Sequence, residues 1–152
     1  MFQYDNEDTV FPAVAHDFLP VWELDGAYEG QGTSDLSRDN PDRIDRAEVS
    51  LTITFKREDS FFVVRRNAFS RLDNAKDSVT VKQHQRLCKG ILAGVRSGLH
   101  IETLVHKRTR PQNFQIDVHS VRYHQKSIRL LALEIATVAA IEVALAAARK
   151  DT

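Results

Sequence analysis

The stretch 49-VSLTITFKREDSFFVVRR-66 sets the architecture. Val49, Leu51, Ile53 and Phe55 alternate with Ser50, Thr52, Thr54 and Lys56. A repeat of two belongs to a strand with one buried face, because successive side chains leave a pleated backbone on opposite sides. Arg57-Glu58-Asp59-Ser60 is polar and turn-like, and 61-FFVVRR-66 is rich in aromatic and β-branched residues. The stretch predicts a β-hairpin.

Downstream, Thr80-Val81-Lys82-Gln83 has the spacing of a capping box, in which a threonine hydroxyl takes a free N–H of the first helical turn. Val81, Leu87, Cys88, Ile91, Leu92 and Val95 follow at helical spacing, and Gly98 suits a C-cap. These residues predict a helix over 81–97. HIETLVHK (100–107) and FQIDVHSVRY (114–123) alternate again around the loop RTRPQN (108–113), which predicts a second hairpin. Residues 126–149, dominated by Ala and Leu, predict a long closing helix. The resulting order is β-β-α-β-β-α. That is an α+β fold, an antiparallel sheet of two hairpins with two helices on one face.

Upstream, acids mix with Val10, Phe11, Val14 and Phe18 over residues 1–20, and Pro12 and Pro20 interrupt any regular element. VWELDGAYEG (21–30) reads as a short hairpin turning at Asp25-Gly26, and QGTSDLSRDNPDRIDR (31–46) as a surface loop. The chain thus divides into an acidic N-terminal arm and loop, 1–47, packed on a core domain, 48–152. A length of 152 residues suits one domain, which buries ~70% of its unfolded surface.

The net charge is zero but segregated. Residues 1–48 carry twelve acids and three arginines, whereas residues 82–129 carry ten Lys/Arg and two acids. Five of the six histidines, His84, His100, His106, His119 and His124, lie in the basic stretch. The two stretches either pair within the fold, meet an anionic partner such as nucleic acid, or contact each other between subunits.

Between Ile128 and Ala148 the only charges are Arg129, Glu134 and Glu142. A helix apolar on nearly every side needs cover on most of them, or a membrane. Two mid-helix carboxylates, at roughly 2.5–3.5 kcal/mol each on insertion scales, argue against a membrane span. Ala132, Ala136, Ala140, Ala144 and Ala148 recur every four residues. Such a line of small side chains lets another backbone approach closely. It rests either on the chain's own sheet or on its copy in a homodimer, and the second reading makes these five alanines the oligomer interface.

Recognised catalytic signatures are missing: there is no P-loop, H-E-x-x-H, C-x-x-C or G-x-S-x-G. In the predicted second hairpin Glu102 falls opposite His119, a carboxylate–imidazole pair that reads as a surface contact in the absence of an adjacent nucleophile or third ligand. Cys88 sits among Leu87 and Ile91 and reads as a buried small hydrophobe. One cysteine and an acidic opening without an apolar run fit a reducing, cytoplasmic compartment. No metal or other cofactor is expected.

Lys107, Arg108 and Arg110 cluster at the predicted tip of the second hairpin, and Arg122, Tyr123, Lys126 and Arg129 follow where it enters the last helix. Cations beside an aromatic ring can track a phosphate backbone and stack bases. The sequence thus points to a non-enzymatic, self-associating module, homodimeric or larger, whose basic surface contacts RNA or DNA. The alternative is a protein-interaction module (an assembly factor, chaperone or inhibitor) working through the acidic arm.

Overall fold

In the computed structural model the alternation of residues 49–55 becomes a strand whose odd-numbered side chains enter the core, but its neighbours are not the expected ones. The structure describes residues 9–12, 26–36, 45–55, 61–72, 80–104, 114–124 and 128–150. In chain order these form β1 (Thr9–Pro12), β2 (Gly26–Asp35), β3 (Arg46–Phe55), β4 (Phe61–Val64), a 3-10 turn (Arg66–Ala68), β5 (Phe69–Arg71), α1 (Val81–Leu104), β6 (Phe114–Tyr123) and α2 (Leu130–Lys150). The fold is α+β: a mixed sheet in the order β1-β4-β6-β3-β2, with β5 also on β6, and two helices that share one hydrophobic cluster with its inward face.

β3 and β4 do not pair. β6 lies between them, antiparallel to β3 and parallel to β4. The period-two pattern dictates that a segment is a strand and which face is buried, but it carries no information about the partner. β4 and β5 both run parallel to β6, at residues 115–118 and 121–123, so they are one strand line interrupted by the 3-10 turn.

Where the sequence predicts a hairpin arm and a loop, residues 26–35 form β2, a single ten-residue strand antiparallel to β3, and the rest of those two segments, 21–25 and 37–44, lies outside the described residues. The Gly, Ser and Thr content of β2 imitates a loop, but Gly30, Gly32 and Ser34 are buried under α2. β1 and β2 therefore belong to the same sheet as the rest, and the boundary at residue 47 falls inside it.

Thr80 caps α1 as its spacing predicts, accepting the Gln83 N–H at 3.1 Å on its hydroxyl. The helix does not stop at Gly98 but continues to Leu104, so the expected strand over 100–107 is helical at least as far as residue 104. His100 to Leu104 have a short alternation that a helix accommodates equally well. Among the described residues the second hairpin is represented by the 114–123 strand alone, and residues 105–113 lie outside them. Glu102, on α1, is not the cross-strand partner of His119. His119 instead lies in a bulge and places Nε2 3.3 Å from the Thr52 hydroxyl oxygen.

That bulge explains an irregular pattern. Phe114, Ile116 and Val118 point inward, then Val121 and Tyr123 do. One unpaired residue shifts the phase, since two residues on β6 face one on β3 there. The last helix begins at Leu130, four residues later than expected.

Candidate functional site

The environment of α2 follows from glycines on two other elements. In α1, Gly90, Gly94 and Gly98 repeat every four residues and so line one helical face. A Cβ built on Gly94 would sit 2.4 Å from Thr137 Cβ, and one on Gly98 3.0 Å from Ile141 Cβ. The Gly90 position meets Leu133 in the same way, so the two helices run parallel in close contact. In β2, a Cβ on Gly30 would fall 2.0 Å from the Ala140 carbonyl oxygen, and one on Gly32 2.1 Å from that of Ala136. The strand backbone touches the helix backbone directly.

This seat accounts for the alanine line. Ala132, Ala136, Ala140, Ala144 and Ala148 are fully buried within the chain. Of the two readings of that line, the structure realises the intramolecular one. The five alanines are not a free surface, because β2 has no side chain at positions 30 and 32 and draws the helix onto itself. Ser34 adds a hydroxyl hydrogen bond to the Ala132 carbonyl.

The next line round the same helix is different. Leu131, Ile135, Ala139, Val143 and Ala147 also repeat every four residues. Leu131 is 51% exposed, Ile135 39% and Val143 50%. Covering these three large side chains would contribute on the order of 3 kcal/mol, at ~1.5–3 kcal/mol for complete burial of each. The line borders β2, since the Cβ position of Gly32 lies 2.8 Å from Ala139 Cβ. Among the described residues β2 pairs with β3 alone, so its other edge meets no described strand.

Of the candidate nucleic-acid residues, Tyr123, Arg122 and Arg129 are among those described, and each has a partner within the fold. Tyr123 is buried at 2% exposure, with the Arg71 guanidinium 5.7 Å from its ring centre, so its faces are unavailable to a base. Arg122 pairs with Glu48 across the sheet at 3.2 Å. Arg129 donates Nε to the fully buried Asp45 carboxylate at 2.6 Å and Nη2 to the Leu36 carbonyl at 2.6 Å. It ties the end of the β2–β3 hairpin to the start of α2. Arg122 and Arg129 stay half-exposed while each already has an acidic neighbour in space, which charge density along the sequence does not reveal. Lys107, Arg108, Arg110 and Lys126 lie outside the described residues.

The outward sheet face carries a bidentate pair, Arg65 to Asp117 with Nη2–Oδ2 at 2.6 Å. Among the described residues no three His, Cys, Asp or Glu side chains are grouped to hold a metal. Cys88 is buried. Sequence reasoning missed the seat itself. The repeat Gly90-x-x-x-Gly94-x-x-x-Gly98 was a readable signal, masked by taking Gly98 as a helix end. Nothing local marked Gly30 and Gly32 as partners of a helix a hundred residues away.

No protein-family model matches the chain, and no curated protein does. Among solved structures the fold is similar to part of the crystal structure of ttk003000868 from Thermus thermophilus, at 18% identity and a TM-score of 0.55. The match covers 82% of this chain but only 16% of that one. At this identity the likeness concerns the fold alone, and this chain spans about a sixth of that one.

Proposed function

We propose that this chain is a non-enzymatic module that associates with itself through the outward line of α2. The observation that carries this reading is the exposure of Leu131, Ile135 and Val143 on a helix whose alanine line and glycine-facing side rest on β2 and α1. α2 is long and apolar enough by composition to cross a membrane. Its close seating on β2 and α1 favours a core helix with one face left for a partner. The compartment that fits a single buried cysteine is the reducing cytoplasm. Contact with RNA or DNA is a secondary role of this module, carried by Lys107, Arg108, Arg110 and Lys126, since Arg122 and Arg129 are engaged within the fold.

The test is light scattering after size exclusion, with absorbance at 260 and 280 nm recorded together. The unmodified chain should run at twice 17.3 kDa or more. Ile135→Lys with Val143→Lys, both at exposed positions, should give a folded monomer. A 17.3 kDa particle from the unmodified chain at 100 μM or above would refute the reading. An elevated 260 nm signal that Lys107→Ala with Arg110→Ala removes would support the nucleic-acid role. An alternative use of the acidic arm predicts instead that deleting residues 1–8 abolishes binding of a partner protein and leaves the dimer intact.

A further inference from the structure

The cations of the two layers are placed differently. Arg46, Arg65, Arg122 and Arg129, on or beside the sheet, each hold a carboxylate at 3.2 Å or less. α1 carries Lys82, Lys89, Arg96 and His100, all exposed, and residues 80–101 contain no acid. Among the described residues no ion pair or side-chain hydrogen bond engages any of these four. On the neighbouring helix Glu134 turns toward α1, but it accepts the Ser97 hydroxyl at 3.0 Å. Arg86, at the margin of the same face, is half-buried and donates Nη2 to the Ile128 carbonyl at 2.5 Å.

The four side chains share one line. A helix turns ~100° per residue, so Lys82, Lys89, Arg96 and His100 fall within an arc of ~40°. The buried Leu87, Cys88, Ile91, Val95 and Leu99 occupy the opposite side. Ala93 lies on the line between Lys89 and Arg96 and is too small to interrupt it. The row is nearly straight, with ~10.5 Å from Lys82 to Lys89 and again to Arg96, and ~27 Å from Lys82 to His100 at ~1.5 Å per residue.

We infer that this face of α1 docks the phosphate backbone of double-stranded nucleic acid. This deepens the secondary, nucleic-acid role proposed above and rests on it. Charge complementarity selects a polyanion, and a duplex presents one negative charge per ~1.7 Å of axis, so about sixteen along the row. A lipid surface would need large apolar side chains beside the cations, and a protein partner would need apolar or aromatic anchors. Among the described residues of α1 only Val81, its first, is an exposed large apolar side chain. Single strands are held largely by stacking, and α1 contains no Phe, Tyr or Trp. Neighbouring base pairs lie ~3.4 Å apart along the axis, far closer than the ~10.5 Å between these cations. The row therefore suits backbone contact, which carries no sequence information.

The experiment is fluorescence anisotropy of a labelled duplex of ~20 base pairs, as DNA and as RNA, titrated with the full-length chain between ~50 and ~200 mM salt. Each neutralised phosphate adds ~0.9 to the magnitude of the slope of log affinity against log salt on B-DNA, so the three permanent cations supply about 2.7 of it, a ~40-fold loss over that range. Lys82→Gln/Lys89→Gln/Arg96→Gln, all at exposed positions, should weaken duplex binding more than ~10-fold at ~50 mM salt and reduce the slope by about 2.7. Lys89→Gln alone should reduce it by about 0.9, and Lys82→Arg/Lys89→Arg/Arg96→Lys should bind as the parent does. Arg46→Gln/Arg122→Gln, which removes paired cations, should also leave binding unchanged. A triple variant with the affinity and slope of a parent that binds overturns this inference and leaves contact through Lys107, Arg108, Arg110 and Lys126 standing. Equal weakening in Arg46→Gln/Arg122→Gln does the same, since the effect would then be one of overall charge. Tighter binding to a single strand, or to vesicles containing phosphatidylserine, overturns the choice of a duplex. A parent that binds no duplex at ~50 mM salt and ~300 μM protein overturns both the inference and the nucleic-acid role.

Discussion

Gly94 shows how one missing side chain can invert an ordinary expectation. Replacing a mid-helix glycine with alanine usually stabilises by up to ~1 kcal/mol. Here the new methyl would lie 2.4 Å from Thr137 Cβ and 2.7 Å from the Glu134 carbonyl oxygen. Gly94→Ala is expected to lower the urea unfolding free energy by about 1–3 kcal/mol, as overpacking does. Gly98→Ala, with Ile141 Cβ at 3.0 Å, should be close to neutral. A stabilised Gly94→Ala would show that the two helices are not in contact there. Asp45→Ala removes the acceptor of the Arg129 Nε and backbone N–H. It should cost about 1–3 kcal/mol in the same measurement, the half-exposed arginine limiting the loss. Neither role could be read from local sequence, because Asp45 looks like one acid among many in an acidic stretch and its partner lies 84 positions on.

At the level of elements, the strand character of residues 49–55, 61–64 and 114–123 and the start of α1 were legible, since alternation and capping are local properties. Partner choice was not. The segment 61-FFVV-64 reads as the return arm of β3, yet it meets β6, because the helical connection α1 brings residues 114–123 into the gap between them. The bulge at His119 offers a direct check on β6. Deleting His119 leaves Val118, Ser120, Val121, Arg122 and Tyr123 in regular alternation, with the same side chains inward. The deletion should fold, with a melting temperature within about 5 °C of the parent. Deleting Asp117 instead turns Phe114 and Ile116 toward solvent and should abolish cooperative melting. If the two deletions behave alike, the assigned register is wrong.

For the whole molecule, coupling between folding and association makes stability depend on concentration. The melting temperature of the unmodified chain should rise as its concentration is raised from 1 to 100 μM, and that of Ile135→Lys/Val143→Lys should stay constant. A flat response from both would argue against a dimer coupled to folding. The segregation of charge was legible in composition and its outcome was not: Glu48 with Arg122 and Asp45 with Arg129 join the acidic and basic stretches inside one chain. The seating of α2 between β2 and α1 has a consequence for biosynthesis. The groove lined by Gly30 and Gly32 is made long before residues 130–150 are translated, and nothing on β2 can fill it in the meantime. A nascent chain at that stage carries an open greasy trench along β2. Premature stops ahead of α2 are therefore expected to yield products that clump or are degraded rather than shortened working modules.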